Sequence, residues 1–64
     1  MAKYKVTVRM TNSDYDEVRG WFGCMTRRGQ MVEIVVEADD PEIATNTVRQ
    51  IVGNRGKLLE ARKD

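Results

Sequence analysis

Two segments of the chain alternate between apolar and polar side chains. The even-numbered residues are apolar from Tyr4 to Met10 and again from Met31 to Ala38. Strict alternation that includes β-branched residues is typical of strands with one buried face. We therefore predict two strands over 4–10 and 31–38, whose even-numbered side chains together form half of a core.

The other faces of these two predicted strands carry opposite charges. The first strand presents Lys3, Lys5 and Arg9, and the second presents Glu33 and Glu37. Cross-strand pairs of opposite charge contribute about 0.2–1 kcal/mol each when the strands are neighbours. The charge pattern therefore favours pairing of the first strand with the second.

A helix is predicted over 41–52. Asp40 is a suitable N-cap, Pro41 suits the first helical position, and Glu42 is favoured by the positive end of the helix dipole. Gly53 is a suitable stop. The apolar stripe with helical spacing consists of Ile43, Ala44, Thr47, Val48, Ile51 and Val52. Because β-branched residues lower helix propensity, this helix depends on packing against the sheet.

The segment 12–30 is compatible with two interpretations. Ser13 and the apolar spacing after it indicate a short helix over about 14–22. Alternatively, 20–26 forms a strand that folds back through 27–30 into the strand at position 31. We favour a helical turn followed by this hairpin.

The C-terminal segment 57–63 also has two interpretations. Its residues have helical propensity, but its position after a strand and a helix favours a closing strand. The chain of 64 residues is then a single small α+β domain. We expect a three- or four-stranded antiparallel sheet with one main helix, 41–52, packed on one face.

Composition argues against enzymatic chemistry. The chain has no histidine, one cysteine and a net charge of +1. We expect Cys24 to be a small buried side chain, and the acidic groups near 14–17 and 39–42 to favour helix starts. No apolar run or leader pattern indicates a membrane or secreted protein. We expect a cytoplasmic protein with no catalytic residue, no cofactor and no metal site.

One cluster has the composition of a protein interface. Aromatic residues, methionine and arginine are enriched at the centres of such interfaces. We predict a partner-binding patch that consists of Trp21, Phe22, Met25, Arg27 and Arg28.

The order of the predicted elements resembles a β-β-α-β unit of small phage and prokaryotic proteins. The residues that carry the resemblance are Val32–Ala38, the helix start at 39–44, and 57–62. The pattern is similar to that of the small RNA-polymerase inhibitors of T7-like phages. This resemblance implies a non-enzymatic regulator or inhibitor of a host protein, with host RNA polymerase or another host enzyme as partner.

A second resemblance indicates nucleic-acid binding as the alternative. The segment Ile51–Leu59 is similar to the GxxG loop of KH domains, which follows one helix and leads into another while gripping the nucleotide backbone. The C-terminal third is also rich in cations. The residues for this alternative are Gly53, Asn54, Arg55, Gly56, Lys57, Arg62 and Lys63. A homodimer that uses an exposed strand edge or the aromatic patch is a third interpretation.

Overall fold

The computed structural model describes residues 2–22 and 24–64. The elements are β1 (Ala2–Arg9), α1 (Asn12–Val18), β2 (Met25–Arg28), β3 (Met31–Ala38), α2 (Pro41–Val52), a 3-10 turn (Gly53–Arg55) and β4 (Lys57–Lys63). The strands form one antiparallel sheet in the order β2-β3-β1-β4. The predicted α+β class, with α2 as the main helix on one face, is therefore confirmed.

The pairing of β1 with β3 forms the centre of the sheet. Val6 lies opposite Ile34 and Val8 lies opposite Val32, and all four side chains are buried. The predicted alternation thus places the even-numbered residues toward the helices. The buried core consists of Val6, Val8, Met10, Val18, Val32, Ile34, Ala38, Ala44, Val48 and Val52.

Helix α2 has the predicted bounds. The Asp40 carboxylate accepts a hydrogen bond of 2.9 Å from the backbone N–H of Ile43, and Gly53 ends the helix with a φ of 62°. Only part of the apolar stripe is buried, because the side that faces the sheet carries Ala44, Val48 and Val52. Ile43 and Ile51 lie on the flank of the helix and remain exposed.

In the segment 12–30 the structure combines the two interpretations at shifted positions. Helix α1 is capped by Thr11, whose hydroxyl accepts a hydrogen bond of 3.2 Å from the N–H of Asp14, and not by Ser13. Residues 20–22 and 24 are not in a strand, and residue 23 lies outside the described residues. The turn of the hairpin comprises Gly29 and Gln30 alone, so Arg27 and Arg28 belong to β2.

Strand β4 confirms the closing-strand prediction for 57–63. It pairs antiparallel with β1, so β1 lies between β3 and β4. The register shifts between Thr7, which lies opposite Glu60, and Val8, which lies opposite Leu58. Leu59 is the extra residue of this bulge, and its side chain is exposed.

The helices cover one face of the sheet, and the opposite face is open. Lys3 of β1 lies opposite Glu37 of β3, as the charge pattern predicts. Within residues 2–22 and 24–64, however, no ion pair joins β1 to β3. The ion pairs of this face involve β4 and the residue after it, and they are Arg62 with Glu33 at 3.9 Å and Lys5 with Asp64 at 3.5 Å.

Candidate functional site

The five residues of the predicted partner-binding patch do not form one surface. Trp21 is 46% exposed, whereas Phe22 and Met25 are half-buried against the core. Arg27 and Arg28 are neighbours in β2 and therefore point to opposite faces of the sheet. Arg27 lies opposite the buried Val32 on the helix side, and Arg28 lies opposite the exposed Met31 on the open face.

Trp21 belongs to a cluster that the sequence does not indicate. The Arg55 guanidinium lies over its ring, 5.0 Å from the ring centroid. The same guanidinium forms an ion pair of 2.8 Å with the Glu17 carboxylate. We call Glu17, Trp21 and Arg55 the Trp21 cluster, which joins the region of α1 to the turn between α2 and β4.

Mutual charge stabilisation keeps both ionisable groups of the Trp21 cluster charged. The hydrogen bond from Arg55 and its positive charge lower the pKa of Glu17, and the hydrogen bond to Glu17 raises the pKa of Arg55. A cation over an indole ring is attracted by the negative face of the ring. Arg55 therefore restricts the orientation of a tryptophan that is nearly half exposed.

A second arginine lies over an aromatic ring of α1. The Arg27 guanidinium lies 4.6 Å from the ring centroid of Tyr15. The Arg27 Nε also donates a hydrogen bond of 2.8 Å to the carbonyl oxygen of Gly29. Arg27 therefore connects α1 to the hairpin turn, and this structural role accounts for its position.

The loop that resembles a KH motif leads into a strand and not into a second helix. Gly53 ends α2, and the residues up to Arg55 form a 3-10 turn. Strand β4 begins at Lys57, directly after Gly56, where a KH domain would begin a second helix. A Cβ atom at Gly56 would lie 2.6 Å from Val8 Cγ1 and 3.2 Å from the Arg9 carbonyl oxygen. This glycine is therefore explained by its close approach to β1.

The predicted cations of the C-terminal third are dispersed. Arg55 pairs with Glu17 on the helix side, and Arg62 pairs with Glu33 on the open face. Lys63 lies at the far end of β4 from Lys57, which is exposed beside Arg9. Asn54, Arg55, Gly56 and Lys57 line one depression, which also contains Asp14. Arg62 and Lys63 lie at the other end of β4, so the predicted set does not form one continuous basic surface.

Three features of the surface lie beyond the reach of local sequence patterns. The ion pair between Glu17 and Arg55 joins distant parts of the chain. The position of Arg9 next to Lys57 depends on strand order. Cys24 is exposed, which corrects the expectation of a buried thiol, because it lies at the edge of the sheet, where its carbonyl oxygen accepts a hydrogen bond of 3.1 Å from the N–H of Val35. Among residues 2–22 and 24–64, no group of three or more Cys, Asp and Glu side chains is arranged to bind a metal.

Comparisons with protein-family models, with curated proteins and with solved structures found no match to this chain. In the described residues, neither helix has the length and apolar character needed to cross a bilayer.

Proposed function

We propose that this protein is a non-catalytic protein-binding regulator and that the Trp21 cluster is its contact surface. The observation that carries the proposal is the 46% exposure of Trp21 in a domain whose core is formed by aliphatic side chains. Burying a large aromatic side chain stabilises a small domain, so leaving it in water has a thermodynamic cost. A partner that covers the indole ring recovers that free energy.

The restricted orientation of Trp21 also supports the proposal. Tryptophan and arginine are the residue types that most often dominate binding free energy at protein interfaces. Ordering a flexible side chain on binding costs about 0.5–1.5 kcal/mol, and a side chain that is already held loses less. Arg55 lies over the ring, and Glu17 fixes Arg55, so this ordering occurs when the protein folds.

The proposed contact surface therefore differs from the predicted partner-binding patch. Both sets contain Trp21, but the contact surface also includes Arg55 and Glu17. Phe22 and Met25 pack against the core. Arg27 is assigned to the attachment of α1, and Arg28 lies on the opposite face of the sheet.

A quantitative capture experiment tests the proposal. The immobilised wild-type protein, Trp21→Ala and Leu59→Ala are incubated with the same cell extract, and bound proteins are quantified by mass spectrometry. Leu59 is the matched control, because it is 43% exposed and lies on β4 outside the Trp21 cluster. We expect a partner that wild type and Leu59→Ala retain equally and that Trp21→Ala loses by more than about tenfold, as for a hot-spot residue.

Two outcomes contradict the proposal. In the first, Trp21→Ala keeps its thermal unfolding transition and captures every protein that wild type captures. In the second, Leu59→Ala and Trp21→Ala lose the same proteins to the same extent, which indicates general hydrophobic adhesion.

The resemblance to phage RNA-polymerase inhibitors supplies one partner to test directly. We propose bacterial RNA polymerase as the first purified candidate, because the resemblance implies a host enzyme as target. Single-round transcription by the holoenzyme is measured with wild type, Trp21→Ala and Leu59→Ala. Inhibition that is lost only in Trp21→Ala supports this partner, whereas unchanged transcription with wild type removes it and leaves the capture experiment to identify another.

A further inference from the structure

A row of cations crosses the open face of the sheet. Arg28 of β2 lies opposite Met31 of β3, Met31 lies opposite Arg9 of β1, and Arg9 lies opposite Lys57 of β4. Directly paired residues share a face, so all four side chains project from the side without helices. We call Arg28, Arg9 and Lys57 the cationic row.

The three charges of the cationic row are exposed and have no ion-pair partner within residues 2–22 and 24–64. Strands lie about 4.8 Å apart, so the row is about 14 Å long from Arg28 to Lys57. No carboxylate lies at the paired positions, and Met31, which lies between Arg28 and Arg9, is apolar and exposed. The row therefore presents a concentrated positive charge to solvent.

Two places near the cationic row carry opposing charges. Asp14 of α1 lines one depression with Arg9 and Lys57, and the neighbouring row of the open face carries two carboxylates. Its cross-strand order is Thr26, Glu33, Thr7 and Glu60. Arg62 lies 3.9 Å from Glu33 and offsets that charge. Glu60 lines one depression with Arg28 and has no ion-pair partner within residues 2–22 and 24–64, so its charge weakens the field of the cationic row.

We propose that the cationic row binds the phosphate backbone of duplex DNA. Duplex DNA carries one negative charge per about 1.7 Å of its axis, so several phosphates fall within the length of the row. Single-stranded nucleic acid is instead bound with aromatic side chains that stack on bases. The described part of the open face carries no aromatic residue, so it is suited to a duplex, whose bases are already stacked.

This proposal is independent of the proposed function, because the cationic row shares no residue with the Trp21 cluster. The set of nucleic-acid-binding residues that the sequence predicts does not include Arg9 or Arg28. Only Lys57 belongs to both sets, since strand order and not chain proximity brings the three cations together.

The test is a fluorescence-anisotropy titration with a random-sequence duplex of 30 base pairs at several salt concentrations. Three phosphate contacts predict a slope of about −2.7 for log K against log salt concentration. The affinity should then fall about 40-fold between 50 and 200 mM salt. An equal affinity for unrelated duplex sequences is also expected, because phosphate contacts carry no sequence information.

Matched variants separate the cationic row from net charge. Arg9→Gln, Arg28→Gln and Lys63→Gln each remove one positive charge, but Lys63 lies at the opposite end of β4 from Lys57. We expect the slope to become shallower by about 0.9 in Arg9→Gln and in Arg28→Gln, and to stay unchanged in Lys63→Gln. Glu60→Gln should bind duplex DNA more tightly than wild type.

Four results would overturn the proposal. They are the absence of binding to the duplex at 20 mM salt, tighter binding to the single strand than to the duplex, equal losses in Lys63→Gln and Arg9→Gln, and a slope that no row variant changes. Trp21→Ala should retain full duplex affinity, so failure of the protein-binding proposal and failure of this one are distinguishable.

Discussion

At the scale of single residues, Arg55 determines how the Trp21 cluster is arranged. Its guanidinium contacts a carboxylate from α1 and an indole ring from the segment after α1, while its backbone belongs to the turn after α2. Lys57, the next cation along the chain, forms no ion pair within residues 2–22 and 24–64. The chemistry of this residue is therefore set by its contacts and not by the basic segment that contains it.

The ion pair between Glu17 and Arg55 predicts a pH dependence of stability. The pKa of Glu17 is lowered below its ordinary value of 4.5 by the hydrogen bond and charge of Arg55. Since the folded-state pKa is the lower one, the contribution is fully present above the unfolded-state pKa and is lost as the pH falls through the folded-state pKa. Wild type should therefore melt at a higher temperature than Glu17→Gln at pH 6, and this difference should shrink as the pH falls below 4.5.

A double-mutant cycle supplies the control for this prediction. In an Arg55→Gln background, Glu17→Gln should change the melting temperature by the same amount at pH 6 and at pH 3. A wild-type difference that is constant from pH 6 to pH 3 would show that the ion pair makes no contribution to stability.

The close approach of Gly56 to β1 predicts a steric effect of substitution. Gly56 has an extended backbone with φ −158°, so any cost of Gly56→Ala comes from contact with Val8 and Arg9 and not from backbone strain. Forcing an extra methyl group into a packed site costs about 1–3 kcal/mol. Gly20→Ala is the matched control, because no atom lies within 4 Å of its added Cβ.

Urea unfolding of both variants measures this difference. We expect a clearly lower midpoint for Gly56→Ala and a midpoint close to wild type for Gly20→Ala. Equal midpoints for the two variants would contradict the tight packing of the turn against β1.

At the scale of elements, sequence predicts an element well where its length, its period and its end signals agree. The strand at 31–38 has the predicted bounds because the alternation persists over its whole length. The helix at 41–52 does so because its helical spacing persists over its whole length. Helix α1 and strand β2 have seven and four residues, so local patterns offer several starts of similar free energy. The bounds of α1 are set by the Thr11 cap and by the burial of Val18, and those of β2 are set by its pairing with β3.

The cap of α2 gives an element-scale prediction. Asp40→Ala removes the acceptor for the N–H of Ile43, and loss of such a cap costs about 1 kcal/mol. For a domain of this size, that corresponds to a drop of about 4–8 °C in melting temperature. The neighbouring Asp39→Ala should have little effect, since Asp39 is exposed and lies outside the helix. Equal drops in thermal unfolding followed by circular dichroism would contradict the assignment of Asp40 as the cap.

At the scale of the whole molecule, the fold separates two surfaces. The helix side carries the Trp21 cluster, and the open sheet face carries the cationic row. The fold class was predictable from periodicity, but neither surface was, because each depends on contacts between elements far apart in the chain. Arg27 and Arg28 are adjacent in the predicted patch, but in a strand adjacent residues point to opposite faces of the sheet.

The proposed contact surface can be observed directly through Trp21. Trp21 is the only tryptophan of the chain, so incorporation of 5-fluorotryptophan gives a single fluorine NMR resonance from the proposed contact surface. The protein is titrated with the partner identified by capture, while backbone amide signals report complex formation independently. We expect the Trp21 resonance to shift and broaden in step with the amide signals. Complex formation that leaves the Trp21 resonance unchanged would contradict the claim that this tryptophan forms the contact.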